Sequence, residues 1–268
     1  QAIKLSQALP QLPMFAITSS SPTLSQVQRF PFFARVVASD LYQASTVAEL
    51  ARHFRWNSIC PLYRMDEDYS KQLSQAFIAA AARLGISINE LCPIGMMHDE
   101  TSIKSAVVLM KASKSIVFMA AVYMEDVPML WTEAEKAGLL QDHVIWLGTD
   151  TWGESVFQSS NYPKTTAFLS TSFTSFTTTF WEDRFRPTMK VSPFARRSGV
   201  ASTIALTHDA CQLAVISLDR AFRDFATRTA SCDVHCLRQH IAKYRSTAVF
   251  VGATGLVQLE GNDRVNPT

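Results

Sequence analysis

The chain has 268 residues, 47% apolar, 10% aromatic and 18% charged, enough to bury a core of one large or two small domains and too apolar for native disorder. Its 25 basic and 23 acidic residues leave a formal charge of +2, which gives no electrostatic reason to expect a polyanionic partner such as nucleic acid. The longest apolar runs, at 116–124 and 76–82, fall far short of the roughly 20 residues that cross a bilayer.

The chain opens at Gln1 in what reads as the end of a helix (AIKLSQAL), with neither an initiator Met nor a signal peptide, and is expected to be a piece of something longer. A strand is predicted at 14–17, bounded by Pro13 and the polar cluster from Thr18 to Pro22, and a second at 32–37. Apolar residues at helical spacing follow at 41–54, then a strand at 58–63 in which Pro61 suggests an edge or a bulge. Asp66 or Asp68 is placed to cap a helix at 69–84, with Gly85 after its end. Next come a strand at 86–91, a helix at 101–112, a strand at 115–122, a helix at 127–137 closed by Gly138, and a strand at 143–148. Such alternation argues for parallel sheets covered on both faces, an α/β architecture.

The Ser/Thr-rich stretch 165–179 reads as a strand crossing into a helix whose core face begins at Phe180, Trp181 and Phe185. After a polar break at 190–199, a long helix is predicted at 202–225 and a shorter one at 236–244, leading into the run 250–259. The five cysteines show no zinc-finger or redox CxxC spacing. Only Cys232 and Cys236 look like a local pair, which with His240 has the donors for a metal and otherwise makes a loop disulfide or two free thiols.

Catalytic signatures are missing. The sequence has no phosphate-binding G-x-x-x-x-G-K-[ST], no G-x-G-x-x-G, no H-E-x-x-H and no G-x-S-x-G. The expectation is a protein that is not an enzyme and takes no cofactor and no metal.

Several short motifs run in order along the chain: Ser19-Ser20-Ser21-Pro22 followed by Gln28-Arg29-Phe30-Pro31, Ser39-Asp40 with Gln43, Asp68-Tyr69-Ser70, Trp146-Leu147-Gly148-Thr149-Asp150, His208-Asp209-Ala210, and Phe250-Val251-Gly252-Ala253-Thr254-Gly255 with Gly261-Asn262-Asp263-Arg264. Together they resemble the extracellular ligand-binding region of class C G-protein-coupled receptors, the metabotropic GABA and glutamate type, which shares its fold with natriuretic-peptide receptors and leucine-type periplasmic binding proteins. The resemblance implies a bilobed type I periplasmic-binding-protein-like clamshell of two parallel-sheet lobes, truncated at its N-terminus. Lobe 1 is then 1–37 with 175–250, lobe 2 is 38–174, and 251–268 forms the third crossing and a C-terminal strand segment.

The resemblance also implies a ligand site. Hydroxyls of Thr18, Ser19 and Ser20, with backbone N–H groups from Ser21 to Thr23 at a helix start, suit a ligand carboxylate. Asp150, at the end of a strand, suits an ammonium, with Tyr69 closing over the ligand and Tyr123 as an aromatic contact. At the place where acidic-ligand receptors carry a Lys and the GABA type a Glu, this chain has Thr203, while Arg196 and Arg197 read as loop residues. An ion pair to the ligand's far end is therefore not expected, and a polar or small aliphatic amino acid fits better than glutamate or GABA, as does a vestigial lobe that binds nothing. The implied protein is a cell-surface receptor acting on the extracellular side, a homo- or heterodimer through lobe 1, reaching the membrane only through parts outside this chain. The alternatives are a guanylate-cyclase-type single-pass receptor and a soluble amino-acid-binding protein of a transporter.

Overall fold

The computed structural model describes residues 2–96, 98–151, 168–171, 198–226 and 233–265. By its internal contacts the chain divides into two units, Asp40–Ser172 on one side and Gln1–Ser39 with Phe173–Thr268 on the other.

The first of these is built on parallel strands, β3 (Ser58–Arg64), β4 (Ser87–Ile88), β5 (Cys92–Ile94), β6 (Val117–Ala121), β7 (Ile145–Gly148) and β8 (Phe168–Ser170), in the order β4-β3-β6-β7-β8 with β5 also on β3. Helix α2 (Asp40–His53) precedes β3, and α3 (Asp68–Arg83), α4 (Glu100–Ala112) and α5 (Val127–Lys136) connect successive strands. Successive side chains of a strand point to opposite faces, so a sheet covered twice needs strands apolar at every position. β6 is buried throughout. Its Val117, Met119 and Ala121 join Val47, Ala48, Leu73 and Phe77 of α2 and α3, while Phe118 and Ala120 join Ile103, Met110, Leu130 and Trp131 of α4 and α5. Each such Leu or Phe contributes about 1.5–3 kcal/mol by leaving water. Trp146 is buried whole, and its indole N–H donates to the Leu139 carbonyl at 3.0 Å.

The helix ends obey local chemistry. Gly85 and Gly138 take φ of +71° and +75° just past α3 and α5, a conformation that costs glycine nothing. The Asp99 carboxylate caps α4 by accepting from Ser102 N.

Three expectations need correction. Pro61 lies in an interior strand, with β6 on one side and β4 and β5 on the other. Asn57, Ile59 and Met65 make their backbone bonds toward β4 and β5, so Pro61, of the same parity, turns its missing N–H to the gap between those two short strands. Of the strand expected at 86–91 only Ser87–Ile88 forms; the chain leaves the ladder after Asn89, whose backbone N–H still donates to the Ile59 carbonyl and whose side-chain amide donates to Ser115 Oγ at 3.0 Å, and it rejoins β3 only at Cys92. Neither Asp66 nor Asp68 caps α3, because Glu67 holds the N-cap position without a side-chain bond and Asp66 is engaged by Arg64.

In the other unit, α1 (Ala2–Ala8) precedes β1 (Met14–Ala16), which pairs in parallel with β2 (Phe33–Arg35). A 29-residue helix, α6 (Ser198–Ala226), and α7 (Val234–Arg245) lead to an antiparallel sheet of β9 (Val249–Gly252), β10 (Gly255–Glu260) and β11 (Asp263–Val265). Leu206, Ala210 and Leu213 of α6 pack with Ala34, Val36, Val257 and Leu259. Asp209, fully buried, accepts from Ala253 N, Thr254 N and the Thr254 hydroxyl. Phe180, Trp181, Phe185, Arg196, Arg197 and Cys232 lie outside the described residues. Cys236 is disulfide-bonded, which withdraws its sulfur from metal binding.

Candidate functional site

In a parallel sheet the chain leaves each strand at the same edge, so residues just past the strand ends gather there. Tyr69 stands in the first turn of α3 after β3, Tyr123 follows β6, Asp150 follows β7 and Thr171 follows β8. The Tyr69 phenol donates to Asp150 Oδ1 at 2.5 Å, and the two tyrosine rings lie 5.5 Å apart between centroids at 50°. Three residues expected at a ligand site are thus brought together in one unit.

Asp150 also receives Gln43, whose amide donates to Asp150 Oδ1 at 3.0 Å and to Thr171 Oγ1 at 2.5 Å. Gln43 and Asp40 stand one helical turn apart at the start of α2, and Asp40 is only 1% exposed. Burial first, then the charges of Asp150 and Asp40, hold the Tyr69 phenol well above the usual range, so it is a proton donor at any physiological pH. Tyr123 is pushed up to about 12, by burial first and then by Glu67.

Beneath the aromatic pair lies Arg64, whose guanidinium sits 5.7 Å from the Tyr123 ring centroid. It pairs with Asp66 at 2.7 Å and with the fully buried Asp126 at 3.4 Å. Asp126 in turn accepts from His98 N at 3.1 Å. This cation is neutralised by two carboxylates, and it fixes the floor under Tyr123.

The hydroxyl cluster lies in the other unit, on the connection between β1 and β2. Thr18 is exposed, Ser19 half-buried and Ser20 buried. The expected helix start is corrected: Pro22–Ser25 is a four-residue 3-10 turn, Ser21 makes no side-chain cap, and Pro22 has no N–H to offer. The loop is held instead by Arg35, which donates to the carbonyls of Ser19 (3.1 Å) and Ser21 (2.8 Å) and to Ser25 Oγ (2.7 Å), while its Nε donates to Asp263 (2.9 Å). Thr203 lies in α6.

Sequence reasoning assigned no role to Gln43, Asp40, Arg64 or Arg35. The signal for the first two was present, since both belong to the Ser39-Asp40…Gln43 motif; Arg35 and its partner Asp263 also stand in the family-like runs Phe32-Phe33-Ala34-Arg35-Val36-Val37 and Gly261-Asn262-Asp263-Arg264, but with 228 positions between them nothing local shows that they pair.

Residues 4–268 match the family described as receptor family ligand binding region. The chain belongs to that family. Among its relatives, glutamate receptor 3.2 of Arabidopsis thaliana is 28% identical over 153 residues, covering 56% of this chain and 16% of the relative. Metabotropic glutamate receptor 4 of Mus musculus is 26% identical over 145 residues, 53% of this chain and 16% of the relative. Metabotropic glutamate receptor 6 of Rattus norvegicus is 28% identical over 152 residues, 54% and 17%. The matched stretches thus span about a sixth of each relative's length. A receptor ligand-binding region with the periplasmic-binding-protein-like α/β fold is the family to which the motifs pointed. No helix among the described residues is long and apolar enough to cross a membrane.

Proposed function

We propose that this chain is the extracellular ligand-sensing domain of a cell-surface receptor of the class C G-protein-coupled type, binding an amino acid and catalysing nothing. The observation that carries the reading is Asp150, a carboxylate at the C-terminal edge of a parallel sheet, flanked by the hydrogen-bonded phenol of Tyr69 and the ring of Tyr123. An acid with aromatic walls suits a primary ammonium, which gains a charge-assisted hydrogen bond and cation–π contact at once.

The α-carboxylate of the same ligand is assigned to the hydroxyls of Thr18, Ser19 and Ser20. A ligand that engaged both groups would stabilise a closed arrangement over an open one and signal by population shift, in a receptor that dimerises through the unit holding β1 and β2. The relatives named above are called glutamate receptors, and glutamate carries both α-groups. Thr203 offers no charge for a distal carboxylate, so a polar or small aliphatic amino acid is the proposed ligand.

Isothermal titration of the chain with a panel of amino acids, glutamate and GABA included, tests this. One neutral amino acid should bind, and Asp150→Ala and Ser20→Ala should each weaken it by tenfold or more, since a hydrogen bond to a charged group is worth about 1.5–3 kcal/mol. Unchanged affinity in both variants would remove the assigned site.

A further inference from the structure

Cys60 and Cys92 take no part in the proposed site. Both are fully buried in the core between the sheet and helices α4 and α5. Cys92 opens β5 in register with Leu62 of β3. Cys60, two residues before Leu62, projects from the same face of the sheet, because alternate residues of a strand share a face. Their sulfurs are 2.6 Å apart. That is roughly half an ångström beyond a covalent S–S bond and well inside the separation two non-bonded sulfurs keep.

The position has a structural logic. β4 ends at Ile88 and β5 begins at Cys92, and opposite this break stands Pro61, which has no N–H. The edge of the sheet is therefore least secured by backbone hydrogen bonds beside the residue that follows Cys60. A covalent link here would fasten β5 to β3 where the ladder is interrupted, and would close a loop between residues 32 positions apart.

We propose that Cys60 and Cys92 are the two halves of an internal disulfide, formed while the chain folds in an oxidising compartment. The oxidant is a small-molecule or protein disulfide: one cysteine thiolate attacks it and displaces the first thiolate leaving group. The second cysteine thiolate then attacks the mixed disulfide, releasing the other. Two cysteine thiols lose two electrons and two protons, and one oxidant disulfide is reduced to two thiols. Contact with Cys60 first, and burial second, raise the Cys92 thiol far above its usual range in the folded chain. Both sulfurs are fully buried once the core has formed, so the exchange belongs to the folding chain, and the finished bond is sealed from reductants.

The test is a peptide map of the chain secreted from a eukaryotic cell, denatured in guanidinium with excess iodoacetamide and digested without reduction. The expected species is a Cys60 peptide joined to a Cys92 peptide, lighter by two hydrogens than the sum of the two, which separates on reduction. Carbamidomethylation of both cysteines before any reduction, or linkage of either to another cysteine, overturns the proposal. A second arm uses Cys92→Ala and the double variant Cys60→Ala/Cys92→Ala. Cys60 should become alkylatable in the first, and both should melt roughly 5–15 °C below the parent. If neither variant accumulates as folded protein, the parent map decides alone. The inference stands apart from the ligand assignment, since a chain that binds no amino acid gives the same map.

Discussion

Gly252→Ala is a one-methyl test of how the second unit is locked. Gly252 ends β9, and a Cβ there would lie within 2.6 Å of all three atoms of the Asp209 carboxyl group. Ordinary contact needs about 3.4 Å or more, so something must yield by close to an ångström. The carboxylate has no freedom to do so: it accepts from Ala253 N at 2.6 Å, from Thr254 N at 2.9 Å and from the Thr254 hydroxyl, and α6 carries it at a fully buried position. Overpacking of this kind costs about 1–3 kcal/mol, and displacing a buried charged acceptor adds about 1.5–3 kcal/mol for each bond lost. A total near 3–5 kcal/mol is expected, seen as a fall of about 10 °C in the melting of this unit by calorimetry. Asp209→Ala removes the obstacle as well as the bonds, so Gly252→Ala should cost far less in that background. A melting temperature unchanged by Gly252→Ala, or strictly additive losses in the double variant, would refute the clash.

Arg64→Ala should destabilise the other unit by about 3–5 kcal/mol in urea titration, because it leaves Asp126, fully buried, without its cation; a loss below about 1 kcal/mol would show the pair to be idle. Alkali offers a separate check: Tyr69 and Tyr123 keep their protons in the folded chain while unfolded tyrosine ionises at about pH 10. Their contribution is whole below about pH 10 and is lost as pH rises toward and beyond about 12, so denaturation midpoints from pH 8 to 12 should fall above 10, and less steeply in Tyr123→Phe. Equal slopes would count against the burial of that phenol. Gln43→Leu takes one donor from Asp150 and Thr171 together, and should weaken amino-acid binding about tenfold while costing about 1–2 kcal/mol in unfolding.

The alternation of strands and helices from β3 to β7 was legible because its signals are local: periodic apolar residues, Gly85 and Gly138 at helix ends, and strands apolar on both faces. Tyr69 and Asp150 were legible as members of motifs and Tyr123 from its place after a strand, and their meeting follows from a topology that gathers strand ends at one edge. Pro61 misled because the rule that keeps proline off interior strands assumes an unbroken neighbour, and here the neighbour is two short pieces. Asp66 misled because a helix cap and an ion pair compete for one carboxylate, and Arg64 wins it. Gln43 was visible as a motif member, but its partners were not, since they are Asp150, 107 positions away, and Thr171, 128 away.

Arg35 ties the loop of Thr18, Ser19 and Ser20 to Asp263, in β11. Trimming or tagging near that strand is therefore not a neutral operation. A protein cut before Asp263 leaves a buried guanidinium without its carboxylate, and slackens the very turn on which a carboxylate-bearing ligand is proposed to rest. Anyone splicing this domain to a reporter should keep the chain through Val265.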